Sequence, residues 1–460
     1  MVQLNKEQQL AVDYLDGKSI IISGPGSGKT RVLTQKVVRL IKSGVNPSSI
    51  MLVTFTNKAS SEMKSRVQSE LGPVNIISGT FHHIANIFLN QVSKNPFKIL
   101  NQEDKIGMIR NIINQNPYIP EQLKRFLIKA ENVSEISSYL VNFGLSLEDT
   151  LEKRFSSRKK FAKIIQIVLN EYSSQKEMRM LLDFDDLLLI FLHALKDPTT
   201  EHLRSSIKYI LVDEFQDVNN IQADIILEFM KTCSNLTCVG DDCQSIFGFQ
   251  GSNINHILNL HTKFRDVKTF HLVQNYRSTP EIINLYNDLI SYNKHQIKKE
   301  IVPTRELSGV IPSVCFFSND NKEMMFIFNQ IKRAFEGGIP FTDQAIICRL
   351  NRDIRILRNG LFRAGIHGVS LLSIHNSKGS EFDTVYIFNC RKGVIPHICA
   401  KDSYDIREEE RRLLYVACSR AKNNLVITYS IGKNKKADCG SNFISDLDKQ
   451  LYYKHTDLKK

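Results

Sequence analysis

The sequence predicts an α/β fold with two parallel sheets flanked by helices, and three observations carry that expectation. First, the runs SIIIS (19–23), SIMLVTF (49–55), VNIIS (74–78), YILVD (209–213), LTCVG (236–240) and VKTFHL (267–272) are short, apolar and followed by polar, glycine-rich or acidic segments. Continuous apolar runs of that length read as strands buried on both faces. Second, helical patterns such as VLTQKVVRLI (32–41) separate them, the alternation of a parallel sheet covered by helices. Third, a further series follows Lys268: SVCFF (313–317), QAIICRL (344–350), SLLSI (370–374), TVYIFNC (384–390) and NLVITYS (424–430).

Residues 90–180 interrupt the first series. NQEDKIGMIRNIINQ and SRKKFAKIIQIVLNEYSSQ set Ile and Leu at helical spacing among Lys and Asn, which reads as amphipathic helices inserted into one α/β domain. YNKHQIKKEIVPTRELSG (292–309) reads as an exposed basic connector. A chain of 460 residues, 42% of them apolar, has room for more than one core. The N-terminus lacks a basic n-region and an apolar h-region, and no run approaches a membrane span. The expectation is therefore an intracellular protein, cytoplasmic or in a nucleoid or nucleus, neither secreted nor in a membrane. Nine cysteines form no CxxC pair. Cys233, Cys238 and Cys243 stand five apart, which fits neither zinc nor a cluster and reads as free, partly buried thiols. The net charge of +13 points to a polyanionic partner; a Lys-rich proteome is the bland alternative.

The chemistry starts at SGPGSGKT (23–30), between the first strand and a helix. Glycines let backbone N–H groups curl around a phosphate at a helix N-terminus. Gly26, Ser27 and Gly28 form that cradle, Lys29 reaches the β- and γ-phosphates, and Thr30 ligates Mg²⁺. Ser23 stands where the strict motif has Gly, yet GSGKT behind a strand outweighs a mere glycine-rich turn. LVDEFQD (211–217) ends a later apolar run in two adjacent acids. Paired carboxylates there call for a cation. Asp213 fits a second Mg²⁺ ligand, and Glu214 a general base that deprotonates the water attacking the γ-phosphate. Two helix-capping acids would not explain so apolar a run ahead of them. Positive charge on the transferring phosphoryl is also needed, and Arg277 in QNYRSTPE (274–281) and Arg420 in YVACSRAKNNL (415–425) are the candidates.

The order and wording of these segments resembles superfamily 1 DNA helicases of the UvrD/Rep type over almost the whole chain. LNKEQQLAV (4–12) is similar to that family's Q motif, SGPGSGKTR to motif I, TFTNKASSEM (54–63) to Ia and GTFHHIA (79–85) to Ib. DFDDLL (183–188) and LVDEFQD follow, the latter as motif II. VGDDCQSIFGFQGS (239–252) is similar to motif III, QNYRSTPE to IV and CRLNRDIR (348–355) to IVa. LLSIHNSKGSEFDTVYI (371–387) is similar to V and EEERRLLYVACSRAKNNLVIT (408–428) to VI.

The resemblance implies two RecA-like P-loop NTPase domains. Residues 1–89 and 181–268 would form the first (1A), 90–180 a helical insertion (1B-like) and 269–460 the second (2A). It implies that Gln8 reads the adenine edge and that Arg31 and Arg66 lie near the nucleotide. Tyr276 would stack on the adenine, Glu381 would lie by the ribose and phosphates, and Gln244 would sense the γ-phosphate. Arg277 and Arg420 would act as fingers. Phe55, His82, Phe247 and Phe249 match positions facing DNA, Arg349 and Asn351 a pair touching the strand, and Asn57, Thr80 and His375 phosphate contacts or couplers. Singly, each aromatic would read as core, but SIFGFQGS places two aromatics around Gly in a polar loop, which is poor core design.

Two departures stand out. Gln250 replaces the family's usual Arg. Between Arg349 and His375 there is room for only a helix and a strand, so the large 2B insertion is expected to be absent, and no nuclease domain is expected after motif VI. The function implied is an ATP-dependent DNA helicase moving 3′→5′ on single-stranded DNA. ATP and Mg²⁺ would be its cofactors, single strands and single/double-strand junctions its substrates, and a loading, replication or repair protein its partner. The alternative is a single-strand translocase or remodelling ATPase with weak unwinding. A relic nucleotide site conflicts with the complete set Lys29, Asp213, Glu214, Gln244, Arg277 and Arg420, and a P-loop kinase with the second α/β series.

Overall fold

A computed structural model describes residues 4–92, 98–126, 128–400, 403–431 and 440–457. Its strands, in chain order, are β1 (Lys18–Ser23), β2 (Ile50–Val53), β3 (Ile77–Gly79), β4 (Lys98–Ile99), β5 (Leu181–Leu182), β6 (Tyr209–Val212), β7 (Asn235–Gly240) and β8 (Val267–Leu272). There follow β9 (Gln274–Asn275), β10 (Val302–Pro303), β11 (Ser313–Phe317), β12 (Gln344–Cys348), β13 (Ser370–Ser373), β14 (Phe382–Phe388), β15 (Ala421–Ser430) and β16 (Tyr453–Thr456). The chain divides into two compact units. One holds residues 1–21, 29–240 and 247–270; the other holds 22–28, 241–246 and 271–460.

The sheet of the first unit has the order β3-β2-β6-β7-β1-β8. β2 pairs with β3 and β6, and β6 with β7, all in parallel. The apolar runs behave as their composition dictates. The inner strands bury Ile20 to Ile22, Ile50 to Val53, Ile210 to Val212 and Leu236 to Val239, while edge strand β8 is only partly covered. Only the tail of VNIIS is strand. The carboxyl ends of these strands therefore collect the phosphate loop, Thr54, Thr80, Asp213 and Gly240 on one edge, where open parallel sheets bind ligands. Residues 100–172 form their own core, with Ile109, Ile112, Val133, Ile136, Val168 and Tyr172 at its centre. The expected helices are there, with SSRKKF a 3₁₀ turn ahead of Ala162–Met178.

The second unit's sheet runs β13-β12-β14-β15-β11-β16, every neighbouring pair parallel. β12 is buried throughout, β13 is half covered and β16 lies exposed at the edge.

The connector expected over 292–309 is exposed along most of its length, as read, but it is pinned at three points and carries a short strand. Asn293, Lys299 and Ile301 are buried, and β10 pairs with β9. One of its lysines is consumed internally: Lys299 meets Asp241 and, 57 residues away in sequence, Asp242. Among the described residues seven cysteines are free and buried, and no helix is long and apolar enough to cross a membrane.

Candidate nucleotide and nucleic-acid sites

The phosphate loop leaves β1 and enters the helix Lys29–Lys42. Gly26 has φ +65°, and a Cβ there would stand 2.8 Å from the Arg277 Cβ and from the Asn275 amide nitrogen. Only glycine meets both demands. Gly24 is as tightly fitted, since its Cβ would overlap Ile301. Ser27 donates its hydroxyl to the Gly24 carbonyl at 2.8 Å, fixing the turn. Asn275 is fully buried; its Nδ2 donates to the Pro25 carbonyl at 2.7 Å and its Oδ1 accepts from the N–H groups of Arg277 and Ser278. The Tyr276 N–H donates to the Gly26 carbonyl at 3.1 Å. Tyr276 is 47% exposed. Asn275 lies inside QNYRSTPE, where nothing local signals a bond to a loop 250 residues earlier.

Asp213, at the end of β6, is buried, and its N–H donates to the Val53 carbonyl at 2.9 Å. Glu214 follows in the left-handed region at φ 49° and ψ 44°, and its carboxylate does not cap the short turn 215–217. The capping alternative thus fails. A non-glycine residue held there costs on the order of 1–3 kcal/mol, and the Gln216 amide donates to its carboxylate. Thr30 supplies a hydroxyl and Asp213 a carboxylate, the oxygen donors a hard cation such as Mg²⁺ takes. The buried trio Asp241, Asp242 and Cys243 has ligand spacing, but Lys299 answers its charge.

Gln8 is buried, its side chain closing a capping box with Asn5 at the start of the helix Lys6–Asp13. Arg31 lies on the first turn of the helix after the loop. Arg66 is exposed on the helix Asn57–Leu71 and pairs with Glu62.

In the second unit Arg277 Nε donates to Glu381 at 2.8 Å and Nη1 to the Ser419 carbonyl at 3.0 Å, and Glu381 also pairs with Lys422 at 2.9 Å. Arg420 is 2% exposed. Its guanidinium donates to the carbonyls of Val416 and Ser380, to Ser419 Oγ and, at 3.1 Å, to Gln244 Oε1. Arg349 forms a forked pair with Glu410, 2.7 Å at its shortest. Asn351 is exposed at the start of the helix Asn351–Arg363. Burial, aided by Arg349 and Lys378, lowers the His375 pKa to about 4, so its ring is neutral; it bonds to the Ile246 backbone.

In the first unit a cavity of about 890 Å³ is lined by Phe55, Asn57, Thr80, His82, Phe249 and Gln250, among others. Phe247 stacks on Phe55 with centroids 4.9 Å apart and lies 6.0 Å from Phe249. His82 meets Phe184 edge-on at 5.1 Å, and burial lowers its pKa in spite of the nearby Asp185. Both Phe184 and Asp185 come from DFDDLL and line the same cavity. Six of the nine expected DNA-facing residues thus lie together; Arg349, Asn351 and His375 belong to the other unit.

A glycine-rich loop between strand and helix, on a parallel sheet whose next acids follow a buried strand, defines a RecA-like P-loop NTPase fold. Residues 4–265 match the family described as UvrD/REP helicase N-terminal domain, and 270–369 and 366–432 match UvrD-like helicase C-terminal domain. The chain belongs to the UvrD/REP helicase family. It is 31% identical over 446 residues to the "Probable DNA helicase" of Mycoplasma pneumoniae, covering 93% of this chain and 83% of that one. It is 29% identical to the ATP-dependent DNA helicase PcrA of Staphylococcus epidermidis over 376 residues, 79% of this chain and 50% of that one. The ATP-dependent DNA helicase Rep of Buchnera aphidicola subsp. Baizongia pistaciae is 29% identical over 379 residues, 78% and 53%. The chain thus spans about half the length of the PcrA and Rep relatives.

Proposed function

We propose that the chain is an ATP-dependent DNA helicase that translocates 3′→5′ on single-stranded DNA and unwinds duplex as it moves. The observation that carries the DNA half is the cavity where exposed Phe55 stacks on Phe247, with Asn57, Thr80, His82 and Phe249 around it. Stacked aromatics beside polar side chains suit a strand whose bases stack while its phosphates are held, whatever the sequence. The direction of travel is part of this proposal and is carried over from the resemblance of the motifs to the family's.

For hydrolysis, Lys29 and the N–H groups of Gly26 to Gly28 would hold the β- and γ-phosphates, and Thr30 and Asp213 would hold Mg²⁺. Bound there, the ion screens phosphate charge. Glu214 would take the proton of the attacking water; neutralising charge on the transferring group is the role that the resemblance implies for Arg277 and Arg420. The backbone bonds that fix the Tyr276 loop beside Gly26 support Tyr276 as the adenine platform. The domain reading 1A, 1B-like and 2A agrees with a separate core over 100–172. The two stretches that match the C-terminal domain meet at 366–369, which supports a chain without 2B.

The test is ATP hydrolysis with and without single-stranded DNA, Lys29→Ala serving as the blank. Strong stimulation by DNA that is lost in Lys29→Ala is expected. Hydrolysis indifferent to DNA would defeat the reading. Gln250, a neutral amide lining the cavity in place of the usual Arg, favours a second reading, a translocase with weak unwinding. Displacement of a strand from 3′-tailed but not 5′-tailed duplex would decide for the helicase.

A further inference from the structure

The family motifs leave Lys299 without a role, and burial leaves it no simple one. Its side chain is 2% exposed inside a segment whose composition belongs on the surface. An ammonium is not buried without compensation. Lys299 lies 3.0 Å from Asp241 and closer still to Asp242. Burial opposes its charge, and the two carboxylates, Asp241 foremost, outweigh that and hold it protonated. The backbone around it is laced down. The Ile297 N–H donates to Asp242 at 2.8 Å, Lys294 N–H donates to Glu408, and Arg412 reaches the His295 carbonyl at 2.7 Å.

From Asp241 the chain of bonds continues inward. Its Oδ2 accepts from Gln244 Nε2 at 2.6 Å, and Gln244 Oε1 accepts from Arg420 Nη2 at 3.1 Å. A carboxylate only accepts and a guanidinium only donates. Gln244 therefore has one admissible orientation, amide to Asp241 and oxygen to Arg420. That orientation is served by an ionised, fixed Asp241, which like Asp242 beside it is fully buried.

We propose that Lys299 is a positioning residue of the hydrolytic centre, setting the Gln244–Arg420 pair through Asp241. The proposal rests on the reading that Gln244 and Arg420 serve ATP hydrolysis. Without Lys299 two adjacent buried carboxylates lose their counter-charge. Asp241 then either takes up a proton, and can donate to the Gln244 oxygen, or moves toward water. Either change releases the Gln244 amide from its single orientation.

The test is a double-mutant cycle on the full chain, measuring kcat and KM for ATP with saturating single-stranded DNA. Lys299→Met is expected to lower kcat about tenfold or more with KM for ATP nearly unchanged, because positioning is lost and not binding. Gln244→Ala alone should cost as much, and the double variant should be no slower than Gln244→Ala, since residues acting in series do not add. Additive losses would overturn the relay. So would a Gln244→Ala variant that hydrolyses normally, since nothing would then need positioning. Folding is separated from function by adding Asp242→Asn to Lys299→Met, which removes one of the two buried negative charges but still leaves Asp241 without the ammonium that holds it toward Gln244. Recovery of Tm without recovery of kcat is expected; recovery of both would make Lys299 merely structural. A wild-type chain that hydrolyses no ATP refutes the function itself and the relay with it, whereas an active wild type with an additive cycle refutes the relay alone.

Discussion

Glu214 is the residue whose backbone conformation says most about its work. It sits at φ 49°, where a side chain is strained, directly after the buried Asp213. Strain of that kind persists when the surroundings impose it, and it gathers at functional sites. In its proposed role of general base, Glu214 would be needed for proton transfer and not for nucleotide binding. Glu214→Gln is therefore expected to bind ATP normally and to lose on the order of a hundredfold in kcat; near-normal turnover would remove it from the mechanism. At this scale the sequence was legible wherever chemistry forces a residue type into a short motif. Lys29, Asp213 and Glu214 could be found because loop, strand and acid are local patterns. Asn275 and Lys299 could not, because what they do is set by partners far along the chain, Pro25 for one and Asp241 for the other.

Elements were legible in proportion to their burial. β1, β2, β6, β7 and β12 announce themselves through unbroken apolar runs. β16 does not, since Tyr453–Thr456 is exposed and polar and owes its form to pairing with β11. β9 and β10, two residues each, are too short to carry a pattern. The helix Asp320–Glu336 offers a measurement at this scale, because it buries Glu323 completely against two strand ends. The carboxylate accepts from the Asn389 N–H at 2.7 Å, at the end of β14, and from Thr428 Oγ1 at 2.6 Å, in β15. Burial pushes its pKa up to about 7, against those hydrogen bonds. A folded pKa raised above the usual carboxylate value means that the folded state holds the proton more tightly. The stabilisation is then complete below about pH 4.5 and is lost as the pH rises through about 7. Between about pH 5.5 and 8.5 this one group should cost roughly 2 kcal/mol. Glu323→Gln keeps an oxygen for both donors and has no charge to bury. Its Tm should fall less than that of the wild type over that range, and parallel pH profiles would show that Glu323 does not titrate there.

For the whole molecule the question is whether the +13 charge or the aromatic cavity holds the strand. The two make different predictions. Lysines and arginines that neutralise phosphates release counterions, so log Kd should change linearly with log salt, in proportion to the number of phosphates contacted. Bases stacked on aromatic rings contribute about 1–3 kcal/mol each and release no counterions. Phe55, partly exposed and stacked on Phe247, is the residue to remove. Phe55→Ala is expected to weaken single-strand binding by an amount in that range at every salt concentration, so that its line runs parallel to the wild-type line. If the variant instead flattens the salt dependence, Phe55 acts by positioning basic residues and the ring itself is not a stacking platform. If it leaves affinity unchanged while the wild-type line stays steep, the basic excess alone holds the DNA. The cavity would then have to take something other than a base, since a strand gripped only by its phosphates has no use for a stacked aromatic pair open to solvent.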